Sequence, residues 1–285
     1  MRDSKIEWTT HTFNPWWGCA KVSPGCAHCY AESLSKRYGR ATWGVDGTRP
    51  VASDTYWKQP LKWNREAAGL AERPRVFCAS MADVFENRRD LDEPRKRLWA
   101  LIAATPNLDW LLLTKRPEQV RDLVCWGWRS TGQWPANVWL GTTCEDQQRA
   151  NERIPHLLSH PARVRFLSVE PQCGPVDLTS FFHPCYRALF GDLHWVIQGG
   201  ESGHGARPFD VEWARALRDD CKAAGVAYHL KQLGAHAFDG ATENADIPMR
   251  LRDSKGGDWT EWPEDLRVRQ YPAAPTPPAR DGGPA

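Results

Sequence analysis

Six short apolar runs punctuate the chain: "RVFCA" (75–79), "WLLLT" (110–114), "VWLGT" (138–142), "VRFLSV" (164–169), "HWVIQ" (194–198) and "AYHLK" (227–231). Successive runs start roughly 25 to 35 residues apart, the length of a strand plus a crossover helix and its loops. The runs are apolar on both faces, as strands of a covered parallel sheet are. Helix signals lie between them. "LDEPRKRLWALIAA" offers Asp92 as N-cap, Pro94 in the first turn, and Leu98, Leu101 and Ile102 at helical spacing. "FDVEWARALRDDCKAAG" offers Asp210 as N-cap and Gly225 as stop. A further strand in "THTFNPW" makes six to seven. The pattern predicts an α/β fold, a partial or complete parallel (β/α) barrel; a doubly wound open sheet is also compatible with the spacing.

One domain is expected over 1–270, with a long insertion at 35–73. The stretch 271–285, "YPAAPTPPARDGGPA", reads as a disordered tail. The start, "MRDSKIEWTTHTFN", lacks the apolar segment of a secretory leader, and no apolar run approaches the length of a membrane helix. A cytoplasmic protein without membrane contact is the expectation. Charge changes little: Lys plus Arg total 37 against 35 Asp plus Glu, so a nucleic-acid role would need a local patch. Sixteen tryptophans are spread over the whole chain, which fits packing better than one stacking platform. In the insertion, "YWKQPLKWNR" interleaves Tyr56, Trp57 and Trp63 with Lys58, Lys62 and Arg65. That is either a stacking-plus-phosphate surface or, more in keeping with such patterns, a helix burying its tryptophans beneath solvated cations.

In a β/α barrel the site forms where the strands end. Just past the runs stand Ser80 and Asp83, then Thr114, Lys115 and Arg116, then Thr142 and Glu145, Ser168 and Glu170, Gln198 and Glu201, and Lys231 and Gln232. Strand ends meet solvent anyway, so the ring as a whole carries more weight than any member. Lys115, Glu170 and Lys231 are the candidate catalytic groups. "GGESGHG" (199–205) follows a strand and precedes a helix; Gly199 and Gly200 would let backbone N–H groups approach a ligand, and Glu201 could accept from an amine or ribose. It is neither a dinucleotide fingerprint nor a phosphate loop. A tight turn is the plainer reading.

The most specific feature is "GCAKVSPGCAHCYAE", which sets Cys19, Cys26 and Cys29 in C-x6-C-x2-C spacing just after the first expected strand. Three thiols are too few for a closed zinc site unless His11 or His28 adds a fourth ligand. Inert or redox thiols are a second option. An iron–sulfur cluster with one open iron is the third. The early position and the barrel that follows resemble the radical S-adenosylmethionine superfamily, whose usual spacing is C-x3-C-x2-C. More narrowly, this stretch with "LLLTKRP", "VWLGTTCEDQ", "LSVEPQCGPVDL", "WVIQGGESGHGARP", "LKQLG" and "EDLRVRQYP" resembles the phage-associated three-Cys-motif proteins, in order over about residues 5 to 272. That family lacks an assigned reaction.

The resemblance implies that Cys19, Cys26 and Cys29 bind a [4Fe-4S] cluster and that S-adenosyl-L-methionine is the cofactor. It also implies reductive cleavage to a 5′-deoxyadenosyl radical, an electron donor of flavodoxin or ferredoxin type, and a partner protein encoded nearby. Ser80 to Asp83 match the segment that binds the methionine amino group, without the usual Gly-Gly-Glu. Ser168 or Glu170 would reach the ribose, and Gly199, Gly200 and Glu201 would lie against adenosine or substrate. A nucleic-acid base or nucleotide is the substrate class the resemblance brings to mind. The alternative is a zinc-stapled binding module for nucleic acid or protein, without catalysis.

Overall fold

The computed structural model describes residues 2–40, 42–241 and 247–273. Each apolar run forms a strand within a residue or two of its expected bounds: β2 (Arg75–Cys78), β3 (Asp109–Thr114), β4 (Val138–Thr143), β5 (Val164–Val169), β6 (Trp195–Gly199) and β8 (Ala227–Gln232). The first strand, β1, is only His11–Thr12. The ladder stops there because Pro15 has no N–H to give and Asn14 is used elsewhere, its N–H donating to the Tyr56 hydroxyl and its side-chain oxygen accepting from the Met81 N–H. Strand order is β1-β2-β3-β4-β5-β6-β8, every pairing parallel, so the sheet is a curled, open half-barrel. Two short strands outside it, β7 (Phe209–Asp210) and β9 (Ala237–Phe238), pair with each other.

Period-two alternation gives the sheet two apolar faces. Trp110, Leu112, Leu140 and Val196 point outward under the helices. Helix Val211–Ala224 is one of these, capped by Asp210 accepting from the Glu212 N–H and stopped by Gly225 at φ 68°. Helix Asp92–Ala103 has Leu91 rather than Asp92 at its cap position; Asp92 is its first residue and pairs with Arg95. On the concave side Trp8, Phe77, Leu111, Trp139, Phe166 and Trp195 fill the N-terminal end of the curl. Trp8 comes from the segment before β1 and plugs this floor at 4.6 Å from the Phe77 ring.

Gly141 exists to clear Phe166: a Cβ there would stand 2.4 Å from the Phe166 ring. Gly141→Ala is expected to cost about 1–3 kcal/mol by overpacking. A fall in the urea midpoint with unchanged slope checks it.

The middle of the insertion, 42–66, scaffolds the site. Arg49 is buried and donates to the carbonyls of Thr42, Gly44, Gly47 and Thr48 and to both oxygens of Glu86. It thereby folds 42–49 into a strap around Cys19. Helices Asp54–Trp57 and Gln59–Glu66 follow. Trp57 and Trp63 are buried, Trp63 stacking on His11, while Lys58, Lys62 and Arg65 face solvent. Rings turned inward cannot stack on bases, so the stacking surface considered for 56–65 is replaced by the packing one.

The last described stretch runs antiparallel along β8, with the Leu230 N–H on Val268 O and the Gln270 N–H on Tyr228 O, and covers that sheet edge. Tyr271, assigned to a tail from the sequence, donates its hydroxyl to Glu7 O and lies under Arg75. The remainder of that expected tail, 274–285, lies outside the described residues. No described helix is long and apolar enough to cross a membrane.

Candidate functional site

Counting by twos up the concave face from the apolar floor gives Leu113 and Lys115 on β3, Thr143 on β4, Ser168 and Glu170 on β5, and Lys231 on β8. All six line one cavity of about 2080 Å³ at the C-terminal ends of the strands. The side chains turn from apolar to polar along the same face, so the curl has a dry bottom and a hydrogen-bonding mouth. Cys19, Cys26 and Cys29 line the same cavity, each partly exposed and none in a disulfide.

The cysteine loop is held from several sides. Gly18, at φ 110°, passes so close to the strap that a Cβ would stand 2.3 Å from Thr42 O. Next to it the Gly44 N–H donates to Cys19 O. Arg116, at the end of β3, reaches the Cys19 sulfur at 3.5 Å and Ala20 O at 2.8 Å. Asp83 anchors Arg116 at 3.1 Å and also accepts from the Thr114 hydroxyl and the Phe85 and Lys115 N–H groups. At the loop's apex the Gly25 N–H and the Ser23 hydroxyl donate to Glu145, which is fully buried and paired with Arg153 at 2.8 Å. Cys29 directly precedes helix Tyr30–Arg37.

Burial pushes the Cys19 thiol up to about 12, with the Asp83 charge adding and Arg116 opposing. Burial also raises Cys29, against the N–H groups of Glu32 and Ala31 and the Lys115 charge. Both sites therefore hold their protons at neutral pH unless a bound cation displaces them.

A second clamp comes from the β6 end. Glu201 receives a two-pronged contact from Arg207, takes the Arg207 N–H, and meets His28 Nδ1 at 3.0 Å; Arg207 also donates to Pro24 O. One carboxylate thus ties the 199–207 loop to the cysteine loop. Its burial works against ionisation, but the Arg207 and His28 hydrogen bonds outweigh that and hold Glu201 down at about 2. A depressed carboxyl stabilises the fold above its ordinary value of 4.5, and the effect is lost as pH falls towards about 2. Acid titration followed by circular dichroism should show this loss, and Glu201→Gln should flatten the curve within that window.

The remaining sequence candidates are distributed as follows. Ser80 bonds the Asn14 side chain, and its carbonyl accepts from the Tyr30 hydroxyl, beside the cavity. Asp83 reaches the cavity edge with its oxygens already engaged by the groups named above. Lys231 is ion-paired with Glu170. Among the described residues the Lys115 amine has only the Thr143 hydroxyl, at 3.4 Å.

Gly199 and Gly200 serve the backbone: the Gly200 N–H donates to Gln232 O, and a Cβ on Gly200 would stand 2.1 Å from Leu233 O. The helix expected right after this turn begins only at Val211, after the short strand Phe209–Asp210. Arg207, which sequence reasoning missed, stands six residues past Glu201 within "GGESGHGARP". An arginine so near a carboxylate on a tight turn was the available signal.

Among the described residues no three Cys, His, Asp or Glu side chains converge closely enough to hold one metal ion. His28 faces Glu201, not the thiols.

Comparison with known proteins gives three findings. No curated protein matches this chain. Two solved structures of spore photoproduct lyase, one in complex with the dinucleoside spore photoproduct and one a cysteine-to-serine mutant, superpose with TM-scores of 0.42 and 0.43 at 15% and 16% identity. The alignments cover 77% of this chain but 63% of those, so the chain spans less than two thirds of their length. A family model described as "Protein of unknown function (DUF5131)" matches residues 3–263. The chain belongs to that family.

Proposed function

We propose that this protein is a radical S-adenosylmethionine enzyme whose [4Fe-4S] cluster is bound by Cys19, Cys26 and Cys29. One observation carries the reading: three unpaired thiols open into a single large cavity at the C-terminal ends of a curled parallel sheet. The donor set fits the group. Three free, partly exposed thiols on one loop are the donor type that an iron–sulfur cluster takes from its protein. Cluster and cofactor together would supply a one-electron cleavage of the sulfonium, releasing methionine and a 5′-deoxyadenosyl radical.

The chain's own residues bind, orient and exclude water. Lys115, which carries no ion pair among the described residues and stands beside the thiols at the β3 end, suits the cofactor carboxylate. Glu170, already neutralised by Lys231, retains lone pairs for ribose hydroxyls, as does Ser168 nearby. Ser80 offers a hydroxyl for the methionine amine, while Asp83 acts through Arg116 to position Cys19. The floor of Trp8, Phe77, Leu111 and Phe166 keeps water from below the reacting groups. The reading carries with it an external electron donor of flavodoxin or ferredoxin type.

The test is air-free reconstitution with iron and sulfide, then dithionite and S-adenosylmethionine, with 5′-deoxyadenosine measured by mass spectrometry. About four iron and four sulfide per chain with 5′-deoxyadenosine formed is the expected result. A colourless, zinc-loaded protein that forms none would return the loop to a structural staple.

A further inference from the structure

The cavity mouth carries charge and exposed rings beyond those the reaction described above uses. Eleven Lys and Arg against five Asp and Glu line it, in a chain whose totals are 37 and 35. The positive balance is therefore concentrated at this one opening, and the rest of the molecule is mildly acidic.

The rings are arranged with the charge. Helix Tyr30–Arg37 and the turn after it set Tyr30 and Tyr38 on the rim, 56% and 62% exposed. The Tyr30 hydroxyl is fixed to Ser80 O at 2.8 Å, which holds its ring in place with much of it in solvent. The Arg40 guanidinium lies over the Trp17 ring at 4.6 Å, and Tyr38 flanks the same ring at 6.1 Å. Among the described residues neither Arg37 nor Arg40 is ion-paired. Exposed aromatic rings beside guanidinium groups that carry no ion pair are what base stacking and phosphate contact require.

We propose that this rim binds a single-stranded nucleic-acid segment and presents one of its bases to the cavity. The strand's backbone runs past Arg37 and Arg40, and neighbouring bases rest on Tyr30 and Tyr38, with Trp17 supporting Arg40 from beneath. Unpaired bases are needed because a duplex hides the faces that these rings would contact. The proposal rests on the cavity being the reaction site only for what happens to the base; binding itself needs no cluster.

The experiment is fluorescence anisotropy of metal-free protein with a fluorescein-labelled single strand of about a dozen nucleotides, titrated with salt. Affinity should fall steeply with salt. In the Arg37→Ala/Arg40→Ala double variant the logarithmic slope should drop by about 1.4, two phosphate contacts' worth. Tyr38→Leu should weaken binding about fivefold or more without changing the slope. Lys96→Ala/Lys222→Ala, an equal charge loss on the outer helices, should leave both unchanged. Thermal midpoints and circular dichroism confirm that each variant is folded.

An unchanged slope in the arginine variant, or no effect of Tyr38→Leu, overturns the proposal. So does poly-aspartate binding as tightly as the strand, which would make the rim a dock for acidic polypeptide. Strand binding by a protein that fails to take up iron would sink the cluster reading and leave this one standing; iron uptake without strand binding would do the reverse.

Discussion

Replacing Cys26 by Ala is expected to eliminate the iron–sulfur absorption of the reconstituted protein and to reduce 5′-deoxyadenosine formation to background. Cys19→Ala and Cys29→Ala should do the same. The loss is total because each thiolate is one of only three ligands, and the rest of the loop offers no substitute. His28 is occupied by Glu201, and the Ser23 hydroxyl, 4.0 Å from the Cys26 sulfur, is a far weaker iron ligand than a thiolate. The sharp comparison is with Cys173, a partly exposed thiol bonded to Pro171 O that does not line the cavity. Cys173→Ala should keep full iron content. Iron and sulfide assay per chain, beside product formation, checks the set. Equal iron in wild type and Cys26→Ala would reject the ligand assignment.

Glu145→Ala is expected to be the most damaging change outside the cysteines. The carboxylate is fully buried, and its removal strands Arg153 beneath the β4 end with Thr143 O as its other acceptor. Breaking one side of a buried pair costs about 3–5 kcal/mol. For a chain of this size that lowers the thermal midpoint by on the order of 10 °C. The apex of the cysteine loop would also lose its Gly25 and Ser23 anchors, so iron uptake should slow even well below the midpoint. Glu145→Gln keeps an oxygen for the Gly25 N–H and should recover loop holding better than stability. Calorimetry and the rate of iron loading separate the two effects. A midpoint within a degree or so of wild type would show that Arg153 finds another partner.

How much was readable beforehand differs by element. The strands were legible because a buried parallel strand must be apolar on both faces, and that imprint is local. Helix Val211–Ala224 was legible at both ends because Asp210 and Gly225 act within a few residues of themselves. The three cysteines were legible as a group because eleven consecutive positions hold all of them. Asp83, Glu145 and Glu201 look alike in the sequence, each a carboxylate past a strand end. Folding alone gives them their partners. Glu145 meets Gly25, 120 positions earlier; Glu201 meets His28, 173 positions earlier.

The tryptophans of 56–65 show the same limit. Composition could not say whether Trp57 and Trp63 face solvent or the sheet, since both arrangements suit an amphipathic helix; packing against Phe13 and His11 decided it. The sequence by itself determined the alternation of strands and helices and the spacing of the thiols, because backbone periodicity and short-range capping depend on near neighbours. Only the tertiary structure decided which polar residues are spent on holding the cysteine loop and which stay open to the cavity, because that depends on atoms brought within about 3 Å by chain segments far apart in sequence.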